Sequence, residues 1–337
     1  MSGDNGLWAS VFLERDDELR RLNAEIAAFQ ASRPSPWSFP IDVVREARRQ
    51  GLGVFPGVAP DGNASVLELP TEDGRTVPIR ILRPADGRSL GTYLHFHGGG
   101  WVFGEAVEND PRLRRLADAT GLCVASVDYR LAPEHPFPAG PDDCEAAALA
   151  LVAGRIADLP TSFLAIGGES AGAHLSVLTL LRLRDRHQAA PFHAANLVAG
   201  CYDLSMSPSV RNFGAERLIL NTDDIAEFVR RCVPETQDVR DPAVSPLYAR
   251  LDGMPPAHFS VGTRDLLLDD TLFMAARWRA AGNAAELRVQ PDGCHVYETF
   301  ASEAGTRSEQ AMADFLVHRI AKVASSGPTS ALEAGAD

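Results

Sequence analysis

The sequence is poor in cysteine and almost free of lysine, and the number and spacing of its cysteines narrow the class of protein. Its five cysteines are an odd number, and no two of them are spaced as Cys-x-x-Cys. We therefore expect neither a disulfide framework nor a metal site, and we predict a reduced protein of the cytoplasm. Lys322 is the only lysine among 32 basic residues, which we ascribe to genome composition and not to function.

The sequence also lacks a long apolar run and a positive net charge. No stretch approaches the ~20 apolar residues that cross a membrane, and residues 1–5 do not resemble the start of a signal peptide. A net charge of −13 repels phosphate backbones, so we expect no nucleic-acid partner. What the chain does have is 337 residues, 45% of them hydrophobic, which suffices for one large core with a small lid.

Short apolar runs alternate with patterns of helical spacing over much of the chain. The inner runs are apolar throughout, as in strands that are covered on both faces. We predict an α/β protein, a mostly parallel sheet with helices on both faces, whose first two strands form an antiparallel edge. The predicted strands are Ser65 to Leu69, Val77 to Arg83, Thr92 to His97, Leu122 to Asp128, Phe163 to Gly168, Ala194 to Gly200, Ala257 to Gly262 and Glu286 to Gln290.

Two segments fall outside this alternation and are predicted to be caps. Residues 1–55 hold two helical patterns, 9–30 and Ile41 to Gln50, which we interpret as an N-terminal cap; the alternative is a helix on the back of the sheet. Residues 202–245 place one helix within polar, proline-rich sequence and are the second cap segment. Residues 56–201 and 246–324 then form the core domain, and 325–337 a disordered tail.

The pattern Gly168-Glu169-Ser170-Ala171-Gly172 lies between a predicted strand and a predicted helix. Gly-x-Ser-x-Gly in this position is the nucleophile elbow of hydrolases, a sharp turn that raises the serine above the sheet edge. Ser170 is therefore the predicted nucleophile. A serine hydroxyl is weakly nucleophilic at neutral pH and needs a base, which in turn needs an orienting acid.

The acid is expected after a strand that follows the elbow, on the same edge of the sheet. Asp265 lies three residues beyond the strand that ends at Gly262, and it is our predicted acid. Asp203, just past the preceding strand, is the alternative. Asp269 and Asp270 begin the next helix, where acidic residues are favoured for structural reasons.

The base is expected after the last strand. His295 follows that strand by the short loop 291–294, and it is our predicted base. His174 lies four residues after the elbow serine, on the same face of the helix, and we interpret it as a packed, hydrogen-bonded histidine.

The segment His97-Gly98-Gly99-Gly100-Trp101 follows a predicted strand and can turn its N–H groups toward the serine. Fixed N–H groups stabilise the negative oxygen of a tetrahedral intermediate. We predict that Gly98, Gly99 and Ala171 form this oxyanion hole. Three glycines alone would favour a flexible loop or a phosphate cradle, but neither a P-loop lysine nor Rossmann glycine spacing accompanies them.

These residues resemble the hormone-sensitive lipase-like family of α/β-hydrolases, which includes many bacterial carboxylesterases. The oxyanion segment, the elbow and the run Asp128-Tyr129-Arg130-Leu131-Ala132-Pro133-Glu134 match that family's motifs. The resemblance implies an eight-stranded α/β-hydrolase fold with a helical cap and, by position, Ser170, Asp265 and His295 as the triad. Three residues depart from the family pattern: Glu169 replaces aspartate, Leu266 proline and Val296 glycine.

The resulting hypothesis is a serine carboxylesterase that hydrolyses short- to medium-chain acyl esters without a metal or an organic cofactor. Its partner is a small-molecule ester. Lactones, amides and acetylated metabolites share the same carbonyl chemistry and stay open as substrates. The aromatic residues that we predict to line the acyl pocket are Trp101, Phe103, Trp37 and Phe39.

A second class of hypothesis is a ligand receptor without catalysis. Plant gibberellin receptors resemble the same family and have lost the triad histidine, whereas His295 is present here. The resemblance also implies a possible homodimer through the edge of the last strand, Glu286 to Gln290, although an edge strand is equally well left solvated.

Overall fold

A computed structural model describes residues 16–156 and 158–326. They form an eight-stranded sheet in the order β1-β2-β4-β3-β5-β6-β7-β8. β1 pairs antiparallel with β2, and β2 with β4, while all the other pairs are parallel. The predicted fold class and the antiparallel edge are confirmed. The strands are β1 (Ser65–Pro70), β2 (Thr76–Leu82), β3 (Thr92–Phe96), β4 (Cys123–Val127), β5 (Leu164–Glu169), β6 (Ala194–Val198), β7 (Ala257–Gly262) and β8 (Ala285–Gln290).

Helices cover both faces of this sheet. The neighbouring residues Tyr93 and Leu94 of β3 are both buried but belong to different apolar clusters, one with Leu113 and Phe315 and the other with Leu175. Successive strand residues point to opposite faces, so each cluster fills one side of the sheet. The helices are α1 (Asp17–Ala31), α2 (Ile41–Arg49), α3 (Asp110–Thr120), α4 (Ala139–Val152), α5 (Ala171–His187), α6 (Pro208–Phe213), α7 (Thr222–Cys232), α8 (Leu268–Ala280) and α9 (Glu303–Ser326).

The helix boundaries differ from the sequence-based expectation at both ends of the chain. α1 begins at Asp17, where the Asp16 side chain caps it, and residues 9–15 of the predicted helix lie outside the described residues. α9 extends two residues into the predicted tail, whose remainder also lies outside them. No helix in the described ranges has the length and the apolar composition needed to cross a bilayer.

The two segments predicted as caps contact each other through side-chain hydrogen bonds. Trp37 Nε1 donates to Asp224 Oδ1 at 2.7 Å, and Gln30 Nε2 donates to the carbonyl oxygen of Ile219 at 2.9 Å. α7 carries a capping box, in which Asn221 and Asp224 bond each other's backbone N–H groups. The side chain of Asp224 therefore both starts α7 and fastens the N-terminal segment to it.

Candidate active site

Ser170 lies at the tip of a sharp turn between β5 and α5. Its backbone angles are φ 56° and ψ −118°, a strained conformation for a residue with a side chain. A Cβ atom at Gly168 or Gly172 would lie 2.1 Å or 1.8 Å from the carbonyl oxygen of Phe96. Only glycine fits at those two positions, which explains the Gly-x-Ser-x-Gly pattern physically.

The structure brings His295 and Asp265 to this serine. His295 Nε2 lies 3.0 Å from Ser170 Oγ, and His295 Nδ1 lies 2.9 Å and 3.1 Å from the two carboxylate oxygens of Asp265. All three residues are at most 6% exposed. Asp265 Oδ1 also accepts the N–H of Leu267 at 2.8 Å, which fixes the carboxylate behind the imidazole. Such an arrangement lets a histidine remove the serine proton while the acid holds its orientation.

The candidate oxyanion hole differs in one residue from the predicted set of Gly98, Gly99 and Ala171. The N–H of Gly98 donates to Glu169 Oε1 at 2.7 Å, so it cannot also face an oxyanion. The N–H groups of Gly99, Gly100 and Ala171 donate to no other residue in the part of the chain that the structure describes. We therefore replace Gly98 by Gly100 as a candidate donor, because a free donor is what an oxyanion hole requires.

A buried ion pair holds Glu169 behind the elbow. Its carboxylate contacts His95 Nε2 at 3.0 Å and forms a very short contact with Arg112, in addition to the Gly98 N–H. Burial by itself raises the pKa of Glu169. The charge of Arg112 and the hydrogen bonds lower it by more than burial raises it, so the pKa lies well below its usual range. Glu169 is thus an anion that fixes the start of the oxyanion loop.

Three aromatic side chains form a cluster over that loop, which we call the aromatic roof: Trp37, Phe103 and Phe228. The ring centroids of Trp37 lie 5.4 Å from Phe103 and 5.0 Å from Phe228. A Cβ atom at Gly100 would lie 2.2 Å from the Phe228 ring, so the roof touches the candidate oxyanion hole. Phe39 is 46% exposed and lies outside this cluster.

A family model described as "alpha/beta hydrolase fold" matches residues 93–299, which include the elbow, Asp265 and His295. The chain belongs to the α/β-hydrolase fold family. The match begins in β3 and ends just after His295. It therefore spans the parallel strands β3 to β8 and the loops that carry the oxyanion segment, the elbow serine, Asp265 and His295.

Named relatives of this hydrolase point to one branch of the family. Carboxylesterase NlhH of Mycobacterium tuberculosis is 36% identical over 77% of this chain and 82% of its own length. An ethyl acetate hydrolase of Pseudomonas putida is 30% identical over 82% of this chain and 92% of its own. A hormone-sensitive lipase from a metagenome library has a solved structure with a TM-score of 0.77, 26% identity, and coverage of 92% of this chain and 99% of that one. The predicted resemblance is confirmed.

The other acidic side chains near the hydrolase site have structural partners. Asp203 accepts from Ser205, and Asp269 Oδ2 accepts the N–H of Ser209 at 2.8 Å. Asp270 is fully buried and accepts two N–H groups of the loop after β6; burial raises its pKa to about 7. Within the described residues, no group of three or more His, Cys, Asp or Glu side chains is arranged to hold a metal ion.

His174 has a structural position, as the sequence predicts. Its Nδ1 accepts from Trp101 Nε1 at 3.1 Å, and its Nε2 donates to the carbonyl oxygen of Val244 at 2.7 Å. Burial lowers the pKa of His174 to about 4, so it is neutral at pH 7. It ties the end of the oxyanion loop to the second cap segment. Trp101 is consequently held by this contact, outside the aromatic roof.

Sequence reasoning missed Phe228 and Arg112. Phe228 lies on α7 in the second cap segment, where no motif marks it. Arg112 had a detectable signal, because a glutamate inside a buried elbow needs a cationic partner, and α3 carries the arginine that supplies it.

Proposed function

We propose that this hydrolase is a serine carboxylesterase that acts through an acyl-enzyme on Ser170. The observation that carries the proposal is the hydrogen-bonded series Ser170, His295 and Asp265 beside N–H groups that donate to no described residue. Nucleophile, base and orienting acid are the parts that acyl transfer requires.

In this mechanism Ser170 Oγ attacks the ester carbonyl carbon while His295 Nε2 takes the hydroxyl proton. Asp265 stabilises the imidazolium, and the N–H groups of Gly99, Gly100 and Ala171 stabilise the oxyanion, each by about 3 kcal/mol. His295 then gives its proton to the departing alcohol oxygen. A water molecule, deprotonated by the same histidine, attacks the acyl-enzyme and releases the carboxylic acid.

The predicted class of enzyme, a hydrolase of carboxylic esters, is confirmed by the functions that the names of its relatives state. The size of the acyl group is a separate proposal. The aromatic roof packs against Gly100, and we infer that it limits the space beside the oxyanion hole. This favours small-molecule esters with short to medium acyl chains over large, emulsified lipids.

We also propose that residues 16–55 and 202–245 act together as the cap of this site. Each contributes to the aromatic roof, through Trp37 and Phe228 respectively, and Asp224 joins them. A panel of p-nitrophenyl esters of graded chain length, with lactones and anilides beside it, tests the substrate class. We expect the highest kcat/KM for short to medium acyl chains and a decrease for long ones. Higher rates for anilides would overturn the ester assignment, and higher rates for lactones, which are cyclic esters, would overturn the assignment to acyclic acyl esters.

The direct test of the nucleophile is covalent labelling of the folded protein with a fluorophosphonate, followed by peptide mass spectrometry. We expect one adduct, on Ser170, and loss of ester hydrolysis in proportion to labelling. The buried Ser126, which also contacts a histidine, is an internal control and should stay unlabelled. An adduct elsewhere, or activity that survives complete labelling of Ser170, would exclude the mechanism.

A further inference from the structure

The residue that follows the proposed base has a strained backbone. Val296 has φ 48° and ψ 42°, in the left-handed helical region. A β-branched side chain is an outlier there, whereas glycine adopts the same angles freely. Val296 is also buried, with 5% of its surface exposed. A costly conformation of this kind persists only where the surrounding contacts over-determine it.

Hydrogen bonds hold the turn at Val296 without help from its side chain. The carbonyl oxygen of Val296 accepts the N–H of Thr299 at 2.9 Å and the Oγ1 hydroxyl of Thr299 at 2.8 Å. Both bonds end on a main-chain atom, so a glycine at this position would keep them. The valine side chain is therefore not required for the turn, and it adds contacts of another kind.

The side chain of Val296 connects the loop of the proposed base, residues 291–297, to the support of the elbow. We call these residues the histidine loop. Val296 belongs to a small apolar cluster with Val198, Ala199 and Met312, and such a cluster is built from side chains in contact. Val198 ends β6, and its carbonyl oxygen accepts the N–H of Ser170 at 2.8 Å. The cluster thus spans the histidine loop and the residue that bonds the backbone of the proposed nucleophile.

The histidine loop is held on the other side of His295 by a different cluster. Cys294 is fully buried and packs in a cluster with Leu19 of α1. That anchor stays in place when Val296 is truncated, so we expect the loop to keep its fold while the imidazole loses lateral support. His295 Nε2 lies 3.0 Å from Ser170 Oγ, and a misplacement of about 1 Å at a reacting group can cost about a hundred-fold in rate.

We propose that Val296 is a positioning residue, which holds the His295 imidazole within reach of Ser170 by packing against the end of β6. The inference rests on the proposed function, since it requires Ser170 to be the nucleophile and His295 the base. Val296 acts through His295 and takes no part in the proton transfer itself. The strain of its backbone is offset by this packing.

The test compares side chains at position 296 by kcat and KM for p-nitrophenyl acetate, after circular dichroism confirms folding. Val296→Gly relieves the strain and removes the packing. We expect its kcat to fall about 10- to 100-fold while KM stays within about three-fold of the parent value. Val296→Ala also removes the branched methyl groups, and it carries the measurement if the glycine variant does not fold.

Two further variants separate shape from stability. Val296→Thr keeps the shape of the side chain but buries a hydroxyl group, so it should unfold at a lower urea concentration yet keep kcat within about three-fold of the parent. Val77→Ala is the matched control, because Val77 is equally buried but lies in β2, at the antiparallel edge of the sheet. It should lose stability and retain the parent kcat.

A double-variant cycle shows whether Val296 acts through the histidine. His295→Ala removes the base and leaves only the residual rate that the oxyanion hole supports. In that background Val296→Gly should change kcat by less than about two-fold, since the group that it positions is absent. A general loosening of the site would lower the residual rate as well.

The positioning role is overturned if Val296→Gly and Val296→Ala keep the parent kcat or both fail to fold. It is also overturned if Val296→Thr or Val77→Ala loses as much kcat as Val296→Gly, or if Val296→Gly has the same effect with and without His295. His295→Ala alone reports on the proposed function, because a parent-like kcat in that variant would exclude His295 as the base. The usual loss in His295→Ala beside a fully active Val296→Gly would overturn the positioning role and leave the esterase mechanism intact.

Discussion

Two serines of this protein stand in similar hydrogen-bonded series with a histidine and a carboxylate. In the second, Ser126 Oγ lies 2.8 Å from His95 Nδ1, and His95 Nε2 lies 3.0 Å from Glu169 Oε2. Those distances match the ones around Ser170. We call the two sets the front chain (Ser170, His295 and Asp265) and the back chain (Ser126, His95 and Glu169).

The two chains differ in the backbone of the serine. Ser126 lies inside β4, which pairs with β2 and β3 on its two sides, and the residue is fully buried. Ser170 lies in a strained turn at the edge of the sheet. The adjacent loop carries the N–H groups of Gly99 and Gly100, which donate to no residue within 16–156 and 158–326. Ser170 is 6% exposed and Ser126 is fully buried, so of these two serines only Ser170 has a surface that a substrate carbonyl can approach.

The charges of the two chains differ as well. Glu169 is paired with Arg112 and with a backbone N–H, so its charge is used to hold structure. Asp265 has no arginine contact among the described residues, and His295 is its ionisable partner. Triad spacing alone therefore does not make a nucleophile. What distinguishes the front chain is access, free donors and an acid reserved for the imidazole.

The largest expected effect is the loss of the proposed nucleophile. Ser170→Ala should lower kcat/KM for p-nitrophenyl acetate by roughly four to six orders of magnitude, because the acyl-enzyme cannot form. Ser126→Ala removes the equivalent hydroxyl of the back chain and should change kcat/KM by less than about ten-fold. Steady-state kinetics of both variants, after circular dichroism confirms their folding, decides the matter. Comparable losses in the two would show that the chains are not functionally distinct.

The second prediction exchanges the two acids for amides. Asp265→Asn should lower kcat by about four orders of magnitude with little change in stability, since the amide no longer supports the imidazolium. Glu169→Gln should lower the free energy of unfolding by about 3–5 kcal/mol, because it leaves Arg112 buried without its counter-ion.

Both variants are tested by urea unfolding and by kcat. We expect Asp265→Asn to lose mainly activity and Glu169→Gln to lose mainly stability. We expect Glu169→Gln to retain activity within about a hundred-fold at temperatures where it is folded. If Asp265→Asn proves the less stable of the two and Glu169→Gln the less active, the assignment of the chains is reversed.

The front chain was predictable because each of its signals is local. The apolar run before Ser170, the glycines around it, and the strands before Asp265 and His295 are all visible in the sequence. The rule that parallel strands present their carboxyl ends at one edge then places these three residues near each other. The eight strands were predicted for the same reason, since buried strands have short apolar runs between turns.

The back chain and the oxyanion donors were not predictable in this way. Which of three successive glycines has a free N–H depends on the direction in which the loop turns. That direction is set by the Glu169 carboxylate, 71 residues away from Gly98 in sequence. Phe228 likewise reaches Gly100 from a cap helix. These are contacts between distant segments, and no local periodicity encodes them.

The third prediction tests the replacement of Gly98 by Gly100 as donor. Gly100 has φ +61°, and a Cβ there would meet the Phe228 ring, whereas at Gly98 the nearest atom would be the Glu169 carbonyl oxygen at 3.1 Å. Gly100→Ala should therefore displace the loop and lower kcat by about 10- to 100-fold, and Gly98→Ala by less.

Phe228→Ala combined with Gly100→Ala opens the space that the new methyl group needs. The double variant should therefore recover part of the kcat that Gly100→Ala loses. Stopped-flow assays with p-nitrophenyl acetate measure kcat for each variant. A larger loss of kcat for Gly98→Ala than for Gly100→Ala would return the donor role to Gly98.

The smallest expected effect concerns pH and the histidine of the back chain. Burial lowers the pKa of His95 below its ordinary value of 6.5. As pH falls below about 6.5 the unfolded chain gains a proton that the folded chain does not, so the free energy of unfolding decreases by up to about 1.4 kcal/mol per pH unit for each such proton. His174 and His258, whose pKa values burial lowers to about 4 and about 3, act with the same sign.

His95→Asn removes one of the three histidines that take up a proton on unfolding, while His174 and His258 remain. The unfolding free energy of this variant, measured in urea at about pH 7.5, 6.5 and 5.5, should decrease less steeply with falling pH than that of the parent. The comparison of slopes is independent of the overall loss of stability that the substitution causes. Equal slopes would mean that His95 already carries a proton when folded, in which case the back chain would be an ionic triad of Arg112, His95 and Glu169.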